Sequence, residues 1–341
     1  MTRTVLDHPF PTPPETGVPF AVAPGVQWLR VALPFALDHI NLWLIADGDG
    51  VAVVDTGVND DATRATWERV LAHTRVTRLI CTHFHPDHMG LAGWLAERHG
   101  VELTATLGEW SFGRMLTLEG GGDYAENQVE HYRRAGFGPD LLDGVRGRIG
   151  SYRARVAPLP PRINTIRHGS RLRIGGREWR VIVGRGHAPE HASLWCEEAG
   201  VLISGDQILP RISPIIGVWP QQPDDDPLSD FLLSLEGWKA LPADTLVLPS
   251  HGLPFRGLHR RADDLAHHHA QRLDLLRAAS VPATAVELSR SLFRRELDPQ
   301  QMGFAVGETL SHANHLVGLG EWVRTTRHDG VWLFGPAGDR A

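Results

Sequence analysis

The chain has 341 residues, of which 42% are hydrophobic, so it can bury the core of one large domain or of a large and a small domain. No apolar run approaches the ~18–20 residues that a membrane-spanning helix requires. The formal net charge of −6 argues against binding to a phosphate backbone, which requires clustered Lys and Arg. The two cysteines are expected to be buried thiols.

The N-terminal part of the chain is predicted to be an extended arm followed by antiparallel strands. Residues 1–25 are rich in proline and contain no basic segment followed by an apolar segment, so we expect a cytoplasmic protein without a secretory signal. Strands are predicted at residues 26–35, 40–46 and 51–55. Asp55 ends the third strand, either as a loop cap or as a partner that orients a metal-binding histidine.

A dense group of metal-binding side chains follows a strand predicted at residues 76–81. The segment 82–90 has the sequence THFHPDHMG, and a predicted helix at residues 89–99 follows it. Histidine is the commonest protein ligand of zinc-like metals, and aspartate supplies a hard oxygen. The group therefore lies at the C-terminal end of a strand, where open α/β sheets usually hold their ligands. Its candidate ligands are His83, His85, Asp87 and His88.

Three further candidate ligands also follow short apolar strands: His187, Asp206 and His251. That recurrence predicts that all seven side chains converge. The natural division is into two half-sites, with His83, His85 and His187 for one metal, Asp87, His88 and His251 for the other, and Asp206 as a bridge. Each metal then keeps an open position for water, whereas structural metal sites are usually closed and rich in cysteine.

The order and spacing of these residues resemble the metallo-β-lactamase superfamily. The resemblance spans about residues 27–254 and includes the VVDTG run at residues 53–57. It implies an α/β fold of the αββα sandwich type, with a site for two divalent metal ions at one sheet edge. Zinc is the first choice of metal, with iron or manganese as alternatives. The resemblance also places His191 behind the metal ligands as a supporting residue.

The paired metals imply the type of reaction. Two cations lower the pKa of a shared water, and the resulting metal-bridged hydroxide attacks a polarised carbonyl or phosphorus. Asp87 would bind a metal and orient or relay the proton, so it is the candidate catalytic residue. Such a site requires no Ser or Cys nucleophile.

Residues 109–161 interrupt the alternation of strands and helices. They are predicted to form a helical lid inserted into a catalytic domain at residues 26–255. Two helices are predicted within the lid, at residues 124–135 and 140–147. Tyr124 is a candidate substrate contact in this segment, whereas His131 and Tyr152 are expected to pack ordinarily.

Residues 256–341 are predicted to form a C-terminal domain. Three helices, at residues 258–279, 282–297 and 299–319, precede a hairpin. This order resembles a winged helix, as in a subgroup of lactamase-like hydrolases that includes an endoribonuclease. The third helix contains no Lys or Arg, so nucleic acid is not the expected partner, and the domain is interpreted as a packing or homodimer element. The three consecutive histidines 267–269 cannot face one metal from a helix, so they are expected on a solvated or partly packed face.

The apolar segment 208–220 (ILPRISPIIGVWP), directly after Asp206, predicts either a wall for an acyl or aromatic group or a loop packed under the lid. Candidate substrate contacts are Ile208, Ile212, Trp219, Phe35 and Tyr124. The sequence favours a hydrolase of a small-molecule thioester, of the CoA or glutathione type, or of a lactone. The alternatives are a phosphodiesterase or endoribonuclease, and a redox protein with a single iron.

Overall fold

The computed structural model describes residues 6–279 and 281–338. Part of the predicted N-terminal arm, residues 1–5, lies outside the described residues, as do residues 280 and 339–341 of the predicted C-terminal domain.

The strands are β1 (Phe20–Ala23), β2 (Val26–Ala32), β3 (His39–Asp47), β4 (Gly50–Val54), β5 (Arg75–Ile80), β6 (Leu103–Ala105), β7 (Asn164–Thr165), β8 (Arg171–Ile174), β9 (Arg177–Gly184), β10 (His191–Cys196), β11 (Val201–Gly205), β12 (Leu246–Pro249), β13 (Trp322–Thr326) and β14 (Trp332–Pro336). The helices are α1 (Asp61–Val70), α2 (Pro86–Met89), α3 (Ala92–His99), α4 (Leu107–Leu118), α5 (Gly122–Arg134), α6 (Pro139–Arg146), α7 (Ser151–Arg155), α8 (Pro227–Trp238), α9 (Leu258–Arg277), α10 (Ala285–Leu292) and α11 (Pro299–Gly318).

The chain divides into two compact units. Unit one contains the described residues up to Glu119, with Gly150–Pro214 and Gly237–Ala262, and unit two contains Gly120–Ile149, Ile215–Glu236 and the described residues from Asp263 onwards. The predicted lid is shared between them, because α4 and α7 belong to unit one and α5 and α6 belong to unit two. The limits of the units thus differ from the predicted domain limits.

Unit one contains two sheets. The first has seven strands in the order β1-β2-β3-β4-β5-β6-β7, antiparallel up to β4 and parallel from β4 to β7. The second has five strands in the order β12-β11-β10-β9-β8, in which only the β11–β12 pair is parallel. Parallel neighbours require crossover connections, and α1 and α3 supply two of these in the first sheet.

The core of unit one lies between these two sheets. Trp28 and Trp43 of the first sheet stack with ring centroids 6.2 Å apart, and they share one buried cluster with Trp179 and Leu194 of the second sheet. Burying aromatic and branched side chains on the facing sides of two sheets is the main source of stability in such a layered fold. The predicted α/β class with two packed sheets is confirmed, and both cysteines are buried as predicted.

The strand ends bring the polar loops of unit one together. The C-terminal ends of β4, β5 and β6 share one edge of the first sheet because these strands are parallel, and the same holds for β11 and β12 in the second sheet. Each of these ends leads into a loop or helix that carries buried polar side chains. The fold therefore delivers distant parts of the sequence to one place.

Several helices differ from the prediction in their limits or were not predicted. The predicted helix at residues 89–99 is divided, since α2 ends at Met89 and α3 begins at Ala92. Helix α4 was not predicted, because two glycines within it lower its helix propensity. The predicted helix at residues 282–297 is shorter, because a capping box between Thr284 and Glu287 starts α10 at Ala285.

Unit two contains α10, α11 and the β13–β14 hairpin in the predicted order. Asp298 caps α11 through a capping box with Gln301 and places Pro299 at its first turn. The name winged helix for this arrangement stays a prediction. Across the described residues of both units, no helix combines the length and apolar character that crossing a membrane demands.

His131 on α5 is buried in unit two. Its ring makes edge contacts with Tyr132 and with Trp332, the second at 5.7 Å between ring centroids. Burial lowers the pKa of His131 to about 4, so the folded protein holds this imidazole neutral.

The stability of unit two should therefore depend on pH through His131. The unfolded imidazole has a pKa of about 6.5, so its stabilising contribution is complete above that pH and is lost as pH falls towards 4. At pH 5 the loss should be about 2 kcal/mol. Urea unfolding of metal-free His131→Phe at pH 7 and pH 5 should show a smaller pH effect than the wild type does. An identical pH effect in both proteins would contradict this account, and His267→Phe, at an exposed site, is the matched control.

Candidate metal centre

The seven predicted metal-binding side chains lie together in unit one, at the ends of its strands. Five of the seven have less than a tenth of their surface exposed, and the other two, His85 and Asp87, are half-buried. They are His83 and His85 after β5, Asp87 and His88 in α2, His187 after β9, Asp206 after β11 and His251 after β12.

The first group of side chains consists of His83, His85, His187 and Asp206. One nitrogen or oxygen atom from each lies within 4.8 Å of the others. His83 Nε2 is 2.9 Å from His85 Nδ1 and 3.3 Å from His187 Nε2, and His187 Nε2 is 3.6 Å from Asp206 Oδ2. Two atoms bound tetrahedrally to zinc at about 2.1 Å lie roughly 3.4 Å apart, so these separations suit a shared cation.

The second group consists of Asp87, His88 and His251. His251 Nε2 is 3.4 Å from Asp87 Oδ2, and His88 Nε2 is 3.7 Å from the same oxygen. Asp206 adjoins this group as well, because its Oδ1 is 3.5 Å from His88 Nε2 and 3.4 Å from His251 Nε2. One oxygen of Asp206 thus faces the first group and the other faces the second.

Three buried atoms in and beside the second group fit a bound cation. His88 Nε2, His251 Nε2 and Asp206 Oδ1 have no hydrogen-bond partner among the residues that the structure describes. Buried polar atoms are almost always satisfied, and a divalent metal would satisfy all three at once. The structure therefore contains two clusters of metal-binding His and Asp side chains, as sites for two metals have.

The charges of the two groups differ. Burial, reinforced by neighbouring imidazoles, lowers the pKa of His83 far below its usual range, and burial lowers that of His85 to about 3. Burial alone would lower the pKa of His251, but the Asp206 and Asp87 carboxylates raise it to about 10. Without metal the imidazoles of the first group are thus neutral, whereas those of the second group hold protons, which a metal would displace on binding.

Asp55 supports both groups from beneath. It is the only non-glycine residue with a positive φ, +63°, in the described part of the chain, and it directly follows β4. Its carboxylate accepts hydrogen bonds from the Thr82 backbone N–H at 2.8 Å and from the Thr82 hydroxyl, and its Oδ2 is 2.8 Å from His88 Nδ1. Of the two roles considered for Asp55, orientation of a histidine is the one that the geometry matches.

His191 lies behind the first group. Its Nε2 accepts a hydrogen bond from the Asp206 backbone N–H at 3.1 Å, and its ring centroid is 4.8 Å from that of His83. Gly205 makes this approach possible, because a Cβ there would lie 2.3 Å from His191 Nε2. His191 thus holds the backbone of Asp206, and its role in supporting a metal site stays a prediction.

The loop that carries His251 is held by polar groups of β3. His251 Nδ1 donates to the backbone carbonyl of His39 at 2.8 Å, and His39 Nε2 accepts from the Gly252 N–H. The buried Asn41 side chain donates to the carbonyls of Pro249 and Gly252. No pattern in the sequence indicated these residues, because each lies more than 200 positions away from the loop that it holds.

The predicted substrate contacts are dispersed. Ile208 has no exposed surface, so it packs in the core and the prediction of a direct contact is not supported. Ile212 is 47% exposed in the same loop. Phe35 is half-buried beneath the Arg155 guanidinium, 4.9 Å from its ring centroid. The other two, Trp219 and Tyr124, are half-buried in unit two.

A third group of potential ligands, His269, Glu308 and His312, is buried in unit two. His312 Nδ1 donates to the Glu308 carbonyl at 2.7 Å, and its Nε2 is 3.1 Å from His269 Nδ1. The positively charged Arg272 guanidinium already lies 3.3 Å from the Glu308 carboxyl group, although burial still raises the pKa of that carboxyl. We therefore interpret this group as a polar network of the core and not as a cation site. Of the three consecutive histidines, only His269 is buried, which agrees with a partly packed helix face.

Glu109 is the functional candidate that the sequence did not indicate. Its fully buried carboxylate accepts from the backbone N–H groups of Phe84 and Glu190, which lie in the two loops that carry His83, His85 and His187. Burial raises the pKa of Glu109 to about 8. A glutamate on a helix that was not predicted carries no local signal of such a role.

Two family models match the chain. The model described as metallo-beta-lactamase superfamily matches residues 36–251, and the model described as metallo-beta-lactamase-like, C-terminal domain, matches residues 273–337. A Bacillus subtilis protein named probable metallo-hydrolase YqjP is 25% identical over an alignment of 312 positions, which covers 84% of this chain and 91% of that protein. A Pseudomonas protein named linear primary-alkylsulfatase is 25% identical over 72% of this chain and 48% of its own length.

Two solved structures are similar over nearly the whole chain. A beta-lactamase domain protein from Burkholderia ambifaria is 43% identical, with a TM-score of 0.91 over 97% of this chain and 98% of that one. A metallo-beta-lactamase family protein from Thermus thermophilus is 32% identical, with a TM-score of 0.79 over 93% of this chain and all of that one.

Asp55→Asn should weaken metal binding at the second group by about 10–100-fold. The asparagine amide would donate to His88 Nδ1, so the His88 proton would move to Nε2, the atom that faces the second group. Metal content after dialysis against a graded chelator series, measured by mass spectrometry, tests this prediction. If Asp55→Asn retains both metals as tightly as the wild type does, the prediction is wrong. Asp49→Asn, at an exposed turn, is the control.

Proposed function

The chain belongs to the metallo-beta-lactamase superfamily and is a metal-dependent hydrolase, and we propose that it uses two metal ions to hydrolyse an ester-type bond in a small molecule. A thioester of the CoA or glutathione type is the first candidate for that bond, and a lactone is the second. We take zinc as the first candidate metal.

One observation carries the two-metal part of the proposal: the oxygens of Asp206 face different groups of ligands. In the proposal, His83, His85 and His187 would hold one metal, Asp87, His88 and His251 would hold the other, and Asp206 would offer one oxygen to each. Bound there, the two cations would supply Lewis acidity and a water of lowered pKa. A redox protein with a single iron would have no use for the second group.

The residues of the chain itself would position the reactants. The Asp87 side chain is 16% exposed, more than that of Asp206, so it can meet a water from the solvent side and orient that water or relay its proton. The imidazoles of the first group are neutral at pH 7 and offer lone pairs without losing a proton. No serine or cysteine nucleophile is needed, because a water of lowered pKa would itself be the nucleophile.

Apolar residues beside the second group support an acyl or aromatic group in the substrate. Pro210 packs on Gly252, the neighbour of His251, where a Cβ would lie 2.8 Å from the Pro210 ring. Ile212, two residues further along this loop, is 47% exposed. The Arg261 guanidinium donates to the backbone carbonyl of Ile212 at 2.8 Å and so helps to hold the loop in place.

Nucleic acid is a weaker candidate for the substrate. Helix α11, in the position of a recognition helix, carries no Lys or Arg along Pro299–Gly318, and the chain has a net charge of −6. A polyanion requires several such cations for affinity.

A substrate panel tests the proposal. Metal-loaded protein is assayed with acyl-CoA and glutathione thioesters, lactones, an alkyl sulfate, a phosphodiester and single-stranded RNA. We expect turnover of a thioester or a lactone that is lost on chelation and restored by zinc. Turnover of only the phosphodiester or the RNA would contradict the proposed substrate class. The same holds if protein that contains two metals turns over none of these substrates.

Ile212→Asp should lower kcat/KM for a long-chain acyl substrate by roughly tenfold, and for an acetyl substrate much less. An apolar side chain buried by the substrate contributes about 1–3 kcal/mol, and a carboxylate would oppose that burial. Steady-state kinetics on the two acyl lengths, with metal content checked in parallel, measures the difference. Leu233→Asp, at an apolar position that is 68% exposed on α8, is the matched control. Equal effects of Ile212→Asp on both acyl lengths would count against a substrate wall at this loop.

A further inference from the structure

Phe84 stands between His83 and His85, and both of its backbone polar groups are held from outside its loop. Its N–H donates to Glu109 Oε2 on α4 at 2.9 Å, and its carbonyl accepts a hydrogen bond from the Tyr152 hydroxyl on α7. The orientation of this one residue affects where the two flanking imidazoles lie, because each of them is joined to it by a single planar peptide bond.

The second oxygen of Glu109 reaches another loop. Its Oε1 accepts from the Glu190 backbone N–H at 2.5 Å, and Glu190 lies between His187 and His191. Glu109 therefore joins the two loops that together supply all three histidines of the first group. Glu190 completes the connection, because its side chain accepts from the Gly108 N–H at 2.8 Å and its carbonyl accepts from the Thr106 hydroxyl.

The surroundings of this connection leave little freedom for another arrangement. The Glu109 side chain has no exposed surface, so loss of its oxygens would leave two backbone N–H groups without an acceptor. Tyr152 passes close to Gly113 of α4, where a Cβ would lie 2.9 Å from the tyrosine oxygen and 3.0 Å from Met89 Sδ. The backbone of α4 is thus near enough to Tyr152 that a larger residue at position 113 would displace its hydroxyl.

We propose that Glu109 and Tyr152 are positioning residues for the first metal: they hold His83, His85 and His187 at the spacing that this metal requires. The inference rests on the proposed function. It also gives α4 and α7, at the two ends of the predicted lid, a role in the metal centre itself. Neither residue is catalytic, since each acts through the backbone of Phe84 or Glu190.

Glu109→Gln and Tyr152→Phe test the proposal. Glutamine has one acceptor oxygen in place of two, so its NH2 group would face the backbone N–H of Phe84 or of Glu190. Phenylalanine at position 152 removes only the hydrogen bond to the Phe84 carbonyl. We expect Glu109→Gln to lower the affinity for the first metal by about tenfold and Tyr152→Phe to lower it by a smaller factor. The second metal should bind both variants as tightly as it binds the wild type.

Two readouts separate positioning from a general loss of structure. Cadmium NMR of the full chain should show one of two resonances shifted or broadened in each variant, with the other unchanged. On a substrate that the wild type turns over, kcat should fall while KM stays within about twofold. Asp47→Asn is the matched control: Asp47 also accepts from a backbone N–H, that of Gly175, but it lies at the opposite end of the β3–β4 hairpin from Asp55.

The outcomes also distinguish this inference from the proposed function. Two wild-type cadmium resonances that are unchanged in both variants would overturn the role of Glu109 and Tyr152 and leave the two-metal hydrolase intact. A wild-type protein with no more than one cadmium resonance would instead contradict the two-metal proposal itself. If Glu109→Gln does not fold, Tyr152→Phe decides the matter alone, because it removes one hydroxyl from a partly exposed side chain.

Discussion

The carboxylate of Asp206 and the imidazoles around it make an arrangement that is unfavourable without cations. Burial opposes charge on each of these side chains, and the histidines of the first group further lower one another's pKa. In the second group, protons on His88 and His251 balance the carboxylates of Asp87 and Asp206, yet several of the atoms remain without a hydrogen bond. Folding alone gains little from such a cluster. Two divalent metals would replace the protons, satisfy the unpaired atoms and offset the cost of burial.

The cluster can form because its loops are held by the backbone. Asp55 binds the Thr82 N–H, Glu109 binds N–H groups of two loops, and Asn41 binds carbonyls of the loop that carries His251. Each of these side chains is fully buried, so its hydrogen bonds are not exchanged for bonds to water. The strands deliver the loops to one edge, and these contacts set the finer spacing on which metal binding depends.

Local patterns in the sequence predicted much of the centre but not its support. The segment 82–90 contains four of the seven candidate ligands within six positions, and the recurrence of polar residues after apolar strands predicted the other three. Glu109 and Tyr152 could not be found in this way, because their partners are backbone atoms distant in sequence and their types are common on helix surfaces. Ile208 illustrates a second limit: its apolar character beside the candidate ligands predicted a substrate contact, but the sequence did not indicate that this side chain has no exposed surface. Which residues face a cavity is set by tertiary packing, which periodicity does not report.

The central claim is that two metals share the Asp206 carboxylate. X-ray diffraction at energies just above and just below the zinc absorption edge, from crystals of zinc-loaded protein, tests it most directly. The account predicts two anomalous peaks about 3.5–4 Å apart, one within reach of His83, His85 and His187 and the other within reach of Asp87, His88 and His251, with Asp206 between them. A single peak, or a principal peak at His269, Glu308 and His312 in unit two, would contradict it.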